Sequence, residues 1–161
     1  MVVDSSAVLA ILFNEPERDM FSDALADAGV RLMSSVNALE TTVVVSSRKG
    51  PYGAREFDLL LHRAEFEVVP FTADHLRLAR DAYERYGKGR HPAGLNLGDC
   101  CAYALARHTG CVFRSKTITD SRANRSPIPA EPDHRFRSNP ISDSGGKPIT
   151  FGVGTGMVQG A

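Results

Sequence analysis

The amino-acid sequence predicts an α/β domain of three layers, in which a mostly parallel central sheet is flanked by helices. Short apolar runs of strand length alternate along the chain with segments whose apolar residues recur at helical spacing. Strands that are separated by helices pair in parallel through right-handed crossovers, so helices come to cover both faces of the sheet. The length of 161 residues fits one such domain and leaves little room for a second.

The pattern covers only the first two thirds of the chain. All 13 leucines lie in residues 1–110, whereas residues 111–161 hold five of the nine prolines and six of the 14 glycines. A segment without leucine cannot bury enough apolar surface to offset the entropy that is lost on ordering it. We therefore expect one domain over residues 1–120, with a weakly marked last strand, and a disordered tail over residues 121–161.

The first half of the domain is expected to contain two strands and three helices. Residues 1–3 form an apolar run that ends at Asp4, and one of the two serines after Asp4 can cap the first helix. A second helix is expected to begin near Pro16 and to end at Gly29, before a strand over residues 30–33. A third helix follows, capped by another serine. The first helix is expected to run through Val8, Leu9, Ile11 and Leu12 to Phe13. The apolar faces of the other two are expected to be Phe21, Ala24, Leu25 and Ala28 in the second and Val36, Leu39 and Val43 in the third.

The second half begins with a break at Pro51 and Gly53. Its expected elements are a helix over residues 57–64, a strand over 66–71, helices over 73–86 and 97–108, and a short strand over 111–113. Thr72 supplies the N-cap of the second of these helices, and Gly87 and Gly110 end the last two. The residues that the helix after Thr72 is expected to turn inward are Leu76, Ala79, Ala82, Tyr83 and Tyr86.

The composition excludes several classes of protein. The longest apolar run has seven residues, which is far too short to span a membrane. Asp4 stands where a secretory signal carries basic charge, and the three cysteines show no C-x-x-C spacing, so we expect a cytoplasmic protein without zinc. The equal numbers of basic and acidic residues, 19 of each, exclude a broadly basic protein that coats nucleic acid.

Three acidic residues stand where a carboxylate is costly. Asp4 follows the first strand, at the edge of a parallel sheet where active groups gather. Glu40 borders the expected apolar face of the third helix, and Asp99 has Ala102 and Tyr103 on its own side of the last helix. Three inward carboxylates need compensation, which a divalent cation supplies. Because this set contains only oxygen ligands, Mg²⁺ or Mn²⁺ is favoured over zinc.

Each of the three acids also has a purely structural interpretation. Asp4 can cap the first helix, Glu40 can pair with an arginine, and Asp99 can interact favourably with the dipole at the start of its helix. Their expected coincidence on one side of the sheet favours the metal site over these separate explanations.

Two stretches and a helix between them carry a family resemblance. The stretches are M-V-V-D-S-S-A-V-L-A-I-L at the start and L-N-L-G-D-C-C-A-Y-A-L-A around Asp99, and the helix after the second strand carries Glu40. Over residues 1–110 this combination resembles the PIN domain, and most closely the VapC-type toxins of type II toxin–antitoxin systems. The resemblance implies a Mg²⁺-dependent endoribonuclease that pairs with a small antitoxin and forms a homodimer.

The resemblance also implies roles for individual residues. Asp4, Glu40 and Asp99 match the family's metal-binding catalytic acids. We assign Asp4 and Asp99 as direct ligands, and Glu40 as a ligand through water or as the base that orients the attacking water. Ser6 and Asn96 match polar positions near these acids, and we group them with the substrate-binding residues.

A basic cluster in the glycine-rich loop before the last helix is the expected RNA contact. Lys88, Arg90 and His91 lie there, and a flexible basic loop beside an acidic site suits contacts to phosphates. The alternative is an ordinary solvated connection. Tyr83 and Tyr86 are expected in the core rather than as a stacking surface for bases.

The chain departs from the family after Gly110. Lys116 matches the lysine of the family's Lys-Gly turn, whereas Asp120 matches the position of the family's fourth acidic residue only approximately. We hypothesise that the reading frame changed near residue 110, because leucine and the family pattern are lost together there. An active ribonuclease is favoured, and the alternative is a degenerate, non-catalytic remnant that only binds an antitoxin or a sister subunit. A phosphatase that starts with D-x-D is disfavoured because Ser6 replaces the second acid.

Overall fold

The structure is a computed structural model that describes residues 1–111 and 113–114. The helices and strands of these residues are, in chain order, β1 (Val2–Val3), α1 (Ser5–Leu12), α2 (Arg18–Ala26), β2 (Arg31–Ser34), α3 (Ser35–Arg63), β3 (Phe66–Val69), α4 (Ala73–Tyr86), α5 (Leu97–Thr109) and β4 (Phe113–Arg114). Strands and helices thus alternate as the sequence predicts, with most boundaries displaced by a few residues.

The strands of the described residues form one sheet in the order β3-β2-β1-β4, and every pairing between neighbours is parallel. β1 pairs with β2 through Val2 and Leu32, and with β4 through Val2 and Phe113. The connections between paired strands pass through helices, as parallel pairing requires. The predicted α/β class with a mostly parallel sheet is confirmed.

The two residues of β1 face opposite sides of the sheet. Val3 packs with Met33 in a core that includes residues of α1, α2 and α3. Val2 packs with Leu32 in a second core, together with Leu105 and its neighbours on α5. A third cluster joins α4 to α5. Helices therefore cover both faces of the sheet, which gives the three predicted layers.

Helix ends agree with the prediction where one residue determines them. Thr72 caps α4 and forms a capping box with His75, and the helix ends at Gly87. α5 ends at Gly110, whose φ of 68° lies in the left-handed region that favours glycine. These signals are local, so neighbouring elements do not override them.

The predicted inward face of the first half of α3 is wrong. Leu39 and Val43 are 64% and 60% exposed, whereas Asn37, Thr41 and Val45 are buried. Both sets have helical spacing, so periodicity alone does not determine which side meets the core. The Thr41 hydroxyl donates to the Asn37 carbonyl at 2.8 Å, which removes the usual penalty for burying a polar side chain.

The predicted inward face of α4 is wrong at two positions. Ala79 and Ala82 are buried as expected, but Leu76 and Tyr83 are 51% and 45% exposed. His75 takes the inward position one residue before Leu76 and is 2% exposed. Its Nδ1 accepts a hydrogen bond from the backbone N–H of the N-cap residue at 3.3 Å, which holds the ring against the start of the helix.

The last strand lies beyond its expected place. β4 spans Phe113–Arg114 rather than residues 111–113, and it pairs with β1 at the edge of the sheet. Lys116, Asp120 and the tail expected over residues 121–161 lie outside the described residues.

A kink divides α3 at Gly50, whose φ and ψ are 63° and −153°. Pro51 follows in the first turn of the second half, where its missing N–H costs no helical hydrogen bond. Gly53 presses against the first half, because a Cβ there would lie 2.6 Å from the Val45 carbonyl oxygen and 2.7 Å from Lys49 Cβ. The break expected at Pro51 and Gly53 is therefore present as a kink.

Replacing Gly53 with alanine is expected to lower the free energy of unfolding by about 1–3 kcal/mol, because the added methyl group meets a backbone carbonyl. Gly29→Ala is the matched control: nothing lies within 4 Å of its added Cβ, and its stability should stay within about 0.5 kcal/mol of the parent. Urea denaturation measures both. Equal stability of the two variants would show that the halves of α3 do not press together at Gly53.

Candidate metal centre

Asp4 stands at the junction of β1 and α1 and is 3% exposed. Its Oδ2 accepts hydrogen bonds from the backbone N–H of Ser6 at 3.0 Å and from the Ser6 hydroxyl at 2.7 Å. Asp4 is therefore the N-cap of α1, in place of the serine that we expected there. Because the cap uses Oδ2, Oδ1 faces the other groups of the site.

Asn37, in the first turn of α3, joins the elements that surround Asp4. Its side-chain amide donates to Asp4 Oδ1 at 2.8 Å, to Ser5 Oγ at 3.0 Å and to the backbone carbonyl of Gly98 at 3.1 Å. Asn37 is fully buried. Sequence reasoning missed Asn37, although it lies three residues before Glu40 and hence on the same side of the helix. Ser5 and Gly98, which contact both residues, were missed with it.

Glu40 is exposed at the rim of this group, which corrects the expectation that its carboxylate is buried. The cause is that α3 is rotated about its axis relative to the predicted orientation, so that Asn37 and Thr41 occupy the buried positions. Glu40 Oε2 nevertheless accepts a hydrogen bond from the Ser5 hydroxyl. A Cβ at Gly98 would lie 2.5 Å from the same oxygen, so the missing side chain there leaves room for the Glu40 carboxylate.

Asp99 lies in the first turn of α5 and is 1% exposed. It forms a capping box with Asn96: Asn96 Oδ1 accepts from the Asp99 N–H at 2.9 Å, and Asp99 Oδ2 accepts from the Asn96 N–H at 3.0 Å. Asn96, which we grouped with the substrate-binding residues, is thus the N-cap of α5. It fixes the direction of the Asp99 side chain.

Asp99 and Glu40 lie near enough to Asp4 for their charges to act on its carboxylate. Burial first, and then the charges of Asp99 and Glu40, raise the pKa of Asp4 from 3.8 to about 6, while hydrogen bonds from Ser6 oppose the change. Burial and the charges of Glu40 and Asp4 also raise the pKa of the Cys101 thiol to about 11. That thiol stays protonated at neutral pH and is a poor metal ligand, which leaves the oxygens.

The donor atoms gathered here fit a hard divalent cation. Asn37 Oδ1 is buried and has no hydrogen-bond partner among the described residues. In the same part of the chain, neither Asp4 nor Glu40 forms a salt bridge. Carboxylate and amide oxygens are the ligands that Mg²⁺ and Mn²⁺ prefer. Nowhere in the described residues do three His, Cys, Asp or Glu side chains converge closely enough to form a ready ligand set.

Backbone hydrogen bonds join the two ends of the basic loop between α4 and α5. A parallel bridge joins Gly87 to Leu95, and the Leu95 N–H donates to the Tyr86 carbonyl at 2.9 Å. The loop that its glycines led us to expect as flexible is therefore hydrogen-bonded within itself. Lys88 and Arg90, the predicted phosphate contacts, are exposed on this loop.

Comparison with known proteins gives matches over most of the described residues. Residues 1–119 match the family model of the PIN domain. Ribonuclease VapC of Mycolicibacterium smegmatis is 54% identical over 110 residues, which are 68% of this chain and 85% of that protein. Ribonuclease VapC30 of Mycobacterium tuberculosis is 49% identical over 110 residues, which are 68% of this chain and 84% of that protein.

A solved structure also resembles the chain. The crystal structure of Mycobacterium tuberculosis VapC20, described as a toxin that cleaves the sarcin–ricin loop, matches with a TM-score of 0.58. The match covers 78% of this chain and 98% of that one, at 18% sequence identity. At so low an identity the likeness shows the fold alone.

The stability of the metal-free protein is expected to depend on pH through Asp4. The pKa of Asp4 in the folded state, about 6, lies above the ordinary value of 3.8, so folding favours the protonated acid. The stabilising contribution is complete below pH 4 and is lost as the pH rises through 6. The stability difference between Asp4→Asn and the parent should therefore shift in favour of the variant by about 2 kcal/mol between pH 4 and pH 7. Urea denaturation in EDTA measures it, and a difference that is constant with pH contradicts the burial of Asp4 among like charges.

Adding a fourth carboxylate to the centre is expected to destabilise it strongly. Asn37→Asp removes the amide donor and adds negative charge, so the free energy of unfolding at pH 8 in EDTA should fall by at least about 3 kcal/mol. Millimolar Mg²⁺ should restore part of the loss. Asn14→Asp is the control, because Asn14 is exposed and its Oδ1 already accepts from Arg18. Equal losses in the two variants would show that Asn37 is not surrounded by uncompensated negative charge.

Proposed function

The chain belongs to the PIN-domain family and to its VapC ribonucleases, and from this premise we propose that it is a Mg²⁺-dependent endoribonuclease, the toxin of a type II toxin–antitoxin pair. Its reaction is the hydrolysis of RNA phosphodiester bonds, and Mn²⁺ is an alternative cofactor. One observation carries the proposal: the buried amide of Asn37 donates to Asp4 and to the residues that adjoin Asp4 and Asp99, and burial together with the charges of Asp99 and Glu40 raises the pKa of Asp4 to about 6.

The proposed roles of the three acids differ according to how deeply each side chain is buried. Asp4 and Asp99, both nearly inaccessible to solvent, would hold the cation as direct ligands. Glu40, at the exposed rim, either binds it through water or acts as the base that orients the attacking water. A bound divalent cation supplies an activated water at neutral pH and neutralises charge on the leaving oxygen.

Two of the residues grouped with substrate binding act through the acids. The Ser6 hydroxyl donates to Asp4 Oδ2, and the Asn96 backbone donates to Asp99 Oδ2. Each therefore holds one carboxylate in a fixed direction, and each is a positioning residue. Lys88 and Arg90 hold the RNA, because both are exposed cations on the loop that leads into α5.

A cognate antitoxin and a second copy of the chain are the proposed protein partners, and the cytoplasm is the proposed location. Leu39, Val43 and Leu97 are 64%, 60% and 74% exposed, so α3 and α5 offer apolar surface for such contacts. None of the described helices combines the length and the apolar character that crossing a membrane would need.

A degenerate remnant without activity is the second candidate. The relatives match over 110 of the 161 residues of this chain, so the similarity does not extend to the remaining third. This limited extent favours the remnant. A remnant of this kind binds an antitoxin or a sister subunit but hydrolyses nothing.

Cleavage of RNA by the purified full chain tests the proposal. Mg²⁺ should permit endonucleolytic cleavage of total RNA, EDTA should abolish it, and Asp4→Asn or Glu40→Gln should lower the rate at least about 100-fold. Asp74→Asn is the control, because Asp74 is exposed and pairs only with the neighbouring Arg77 among the described residues. A chain that binds its antitoxin but cleaves no RNA with Mg²⁺ or Mn²⁺ is the remnant.

A further inference from the structure

Tyr83 is an exposed aromatic side chain that its neighbours hold in place. It lies in the last turn of α4 and is 45% exposed. Its ring lies against Gly87, where an added Cβ would be 2.6 Å and 2.9 Å from ring atoms Cδ2 and Cε2. The guanidinium carbon of Arg90 lies 5.4 Å from the ring centroid. Glycine backbone and a stacked guanidinium therefore hold the ring without burying it.

We propose that Tyr83 and Arg90 form a stacking platform for an unpaired base of the RNA held at the metal centre. The proposal rests on the ribonuclease function proposed above and adds a substrate contact to it. Proteins that bind single-stranded RNA stack its bases on tyrosine rings and on arginine guanidinium planes. A preformed Tyr–Arg pair offers both kinds of surface.

Core packing does not explain Tyr83. The cluster that joins α4 to α5 contains Tyr86 and Tyr103, whose rings lie 6.0 Å apart, but Tyr83 belongs to none of the cores of the described residues. Tyr86 also contacts His91 at 5.3 Å. The two tyrosines of α4 thus have different environments, and only Tyr86 fits the expectation that both are core residues.

The platform lies at the end of the α4–α5 pair that carries Asp99. Tyr83 is one turn from Tyr86, whose carbonyl accepts from the Leu95 N–H, and Leu95 directly precedes the cap of α5. Because this path consists of one helical turn, one backbone hydrogen bond and four further residues, the Cα atoms of Tyr83 and Asp99 lie within about 20 Å of each other. A single strand of a few nucleotides spans that distance.

The charge around the platform suits a polyanion. Within the described residues, Arg80, Lys88 and Arg90 take part in no salt bridge, whereas Arg77 and Arg85 pair with Asp74 and Asp81 on the same helix. Arg80 lies one turn before Tyr83, and Lys88 lies in the loop after it. Among the described residues, cations that form no salt bridge therefore precede and follow Tyr83 along the chain, and such cations suit contacts to a phosphate backbone.

A single-tryptophan reporter tests the platform, because the chain contains no tryptophan. Tyr83→Trp places the fluorophore on the platform, and Tyr52→Trp, at a residue that is 76% exposed on α3, is the matched control. Titration with a single-stranded RNA decamer in EDTA should quench the Tyr83→Trp emission by about half and leave the control nearly unchanged. An abasic oligomer of equal length should quench neither.

Binding of labelled RNA, followed by anisotropy, gives a second readout. Tyr83→Ala should weaken binding about tenfold, whereas Tyr83→Phe keeps the ring and should stay within about twofold of the parent. Arg90→Lys keeps the charge but removes the planar group, so it should also weaken binding.

The possible failures are distinguishable. If RNA binds to Tyr83→Trp without quenching, or if Tyr83→Ala binds as tightly as the parent, the platform is wrong and the ribonuclease function stands. If the parent binds no RNA in EDTA yet cleaves it with Mg²⁺, the platform is again wrong. If the parent neither binds nor cleaves RNA, both proposals fail.

Discussion

The buried amide of Asn37 determines where the acids of the candidate centre can lie. It donates at once to the carboxylate of Asp4, to the hydroxyl of Ser5 and to the carbonyl of Gly98. Those acceptors lie at the starts of α1 and α5, which are distant in the sequence from each other and from Asn37. A buried donor left without its acceptor costs about 1–3 kcal/mol. The amide therefore holds the start of α1, the start of α3 and the start of α5 in one relative arrangement, and each of the three starts carries or adjoins an acid.

Helix capping and metal binding are not competing interpretations of these acids. Asp4 caps α1, and Asp99 completes the capping box of α5. Backbone N–H groups and helix dipoles thereby stabilise negative charge that would otherwise be too costly to bury. The compensation is incomplete, since the pKa of Asp4 remains raised to about 6. A divalent cation can neutralise the negative charge that the helix starts leave uncompensated.

Sequence patterns predicted the parts of the molecule that depend on single residues or on the order of elements. The cap at Thr72, the left-handed Gly110 and the parallel sheet are of this kind. The inward faces of α3 and α4 were not predictable from spacing, because polar residues such as Asn37 and His75 take buried positions once tertiary hydrogen bonds satisfy them. Glu40 was assigned to the centre from a wrongly placed apolar face, and a hydrogen bond from Ser5 is what keeps its carboxylate there.

The brevity of β1 has a consequence for the mutations that the domain tolerates. Its two residues divide between the two cores, Val2 with Leu32 and Val3 with Met33, and Asp4 follows at once. Side chains alternate with a period of two, so losing or gaining one residue here exchanges the valines between the two faces and turns the following carboxylate away from Asn37. Substitutions of similar volume leave this alternation intact. Insertions and deletions within β1 are therefore far more damaging than point changes, because the length of the strand determines the direction in which the Asp4 side chain points.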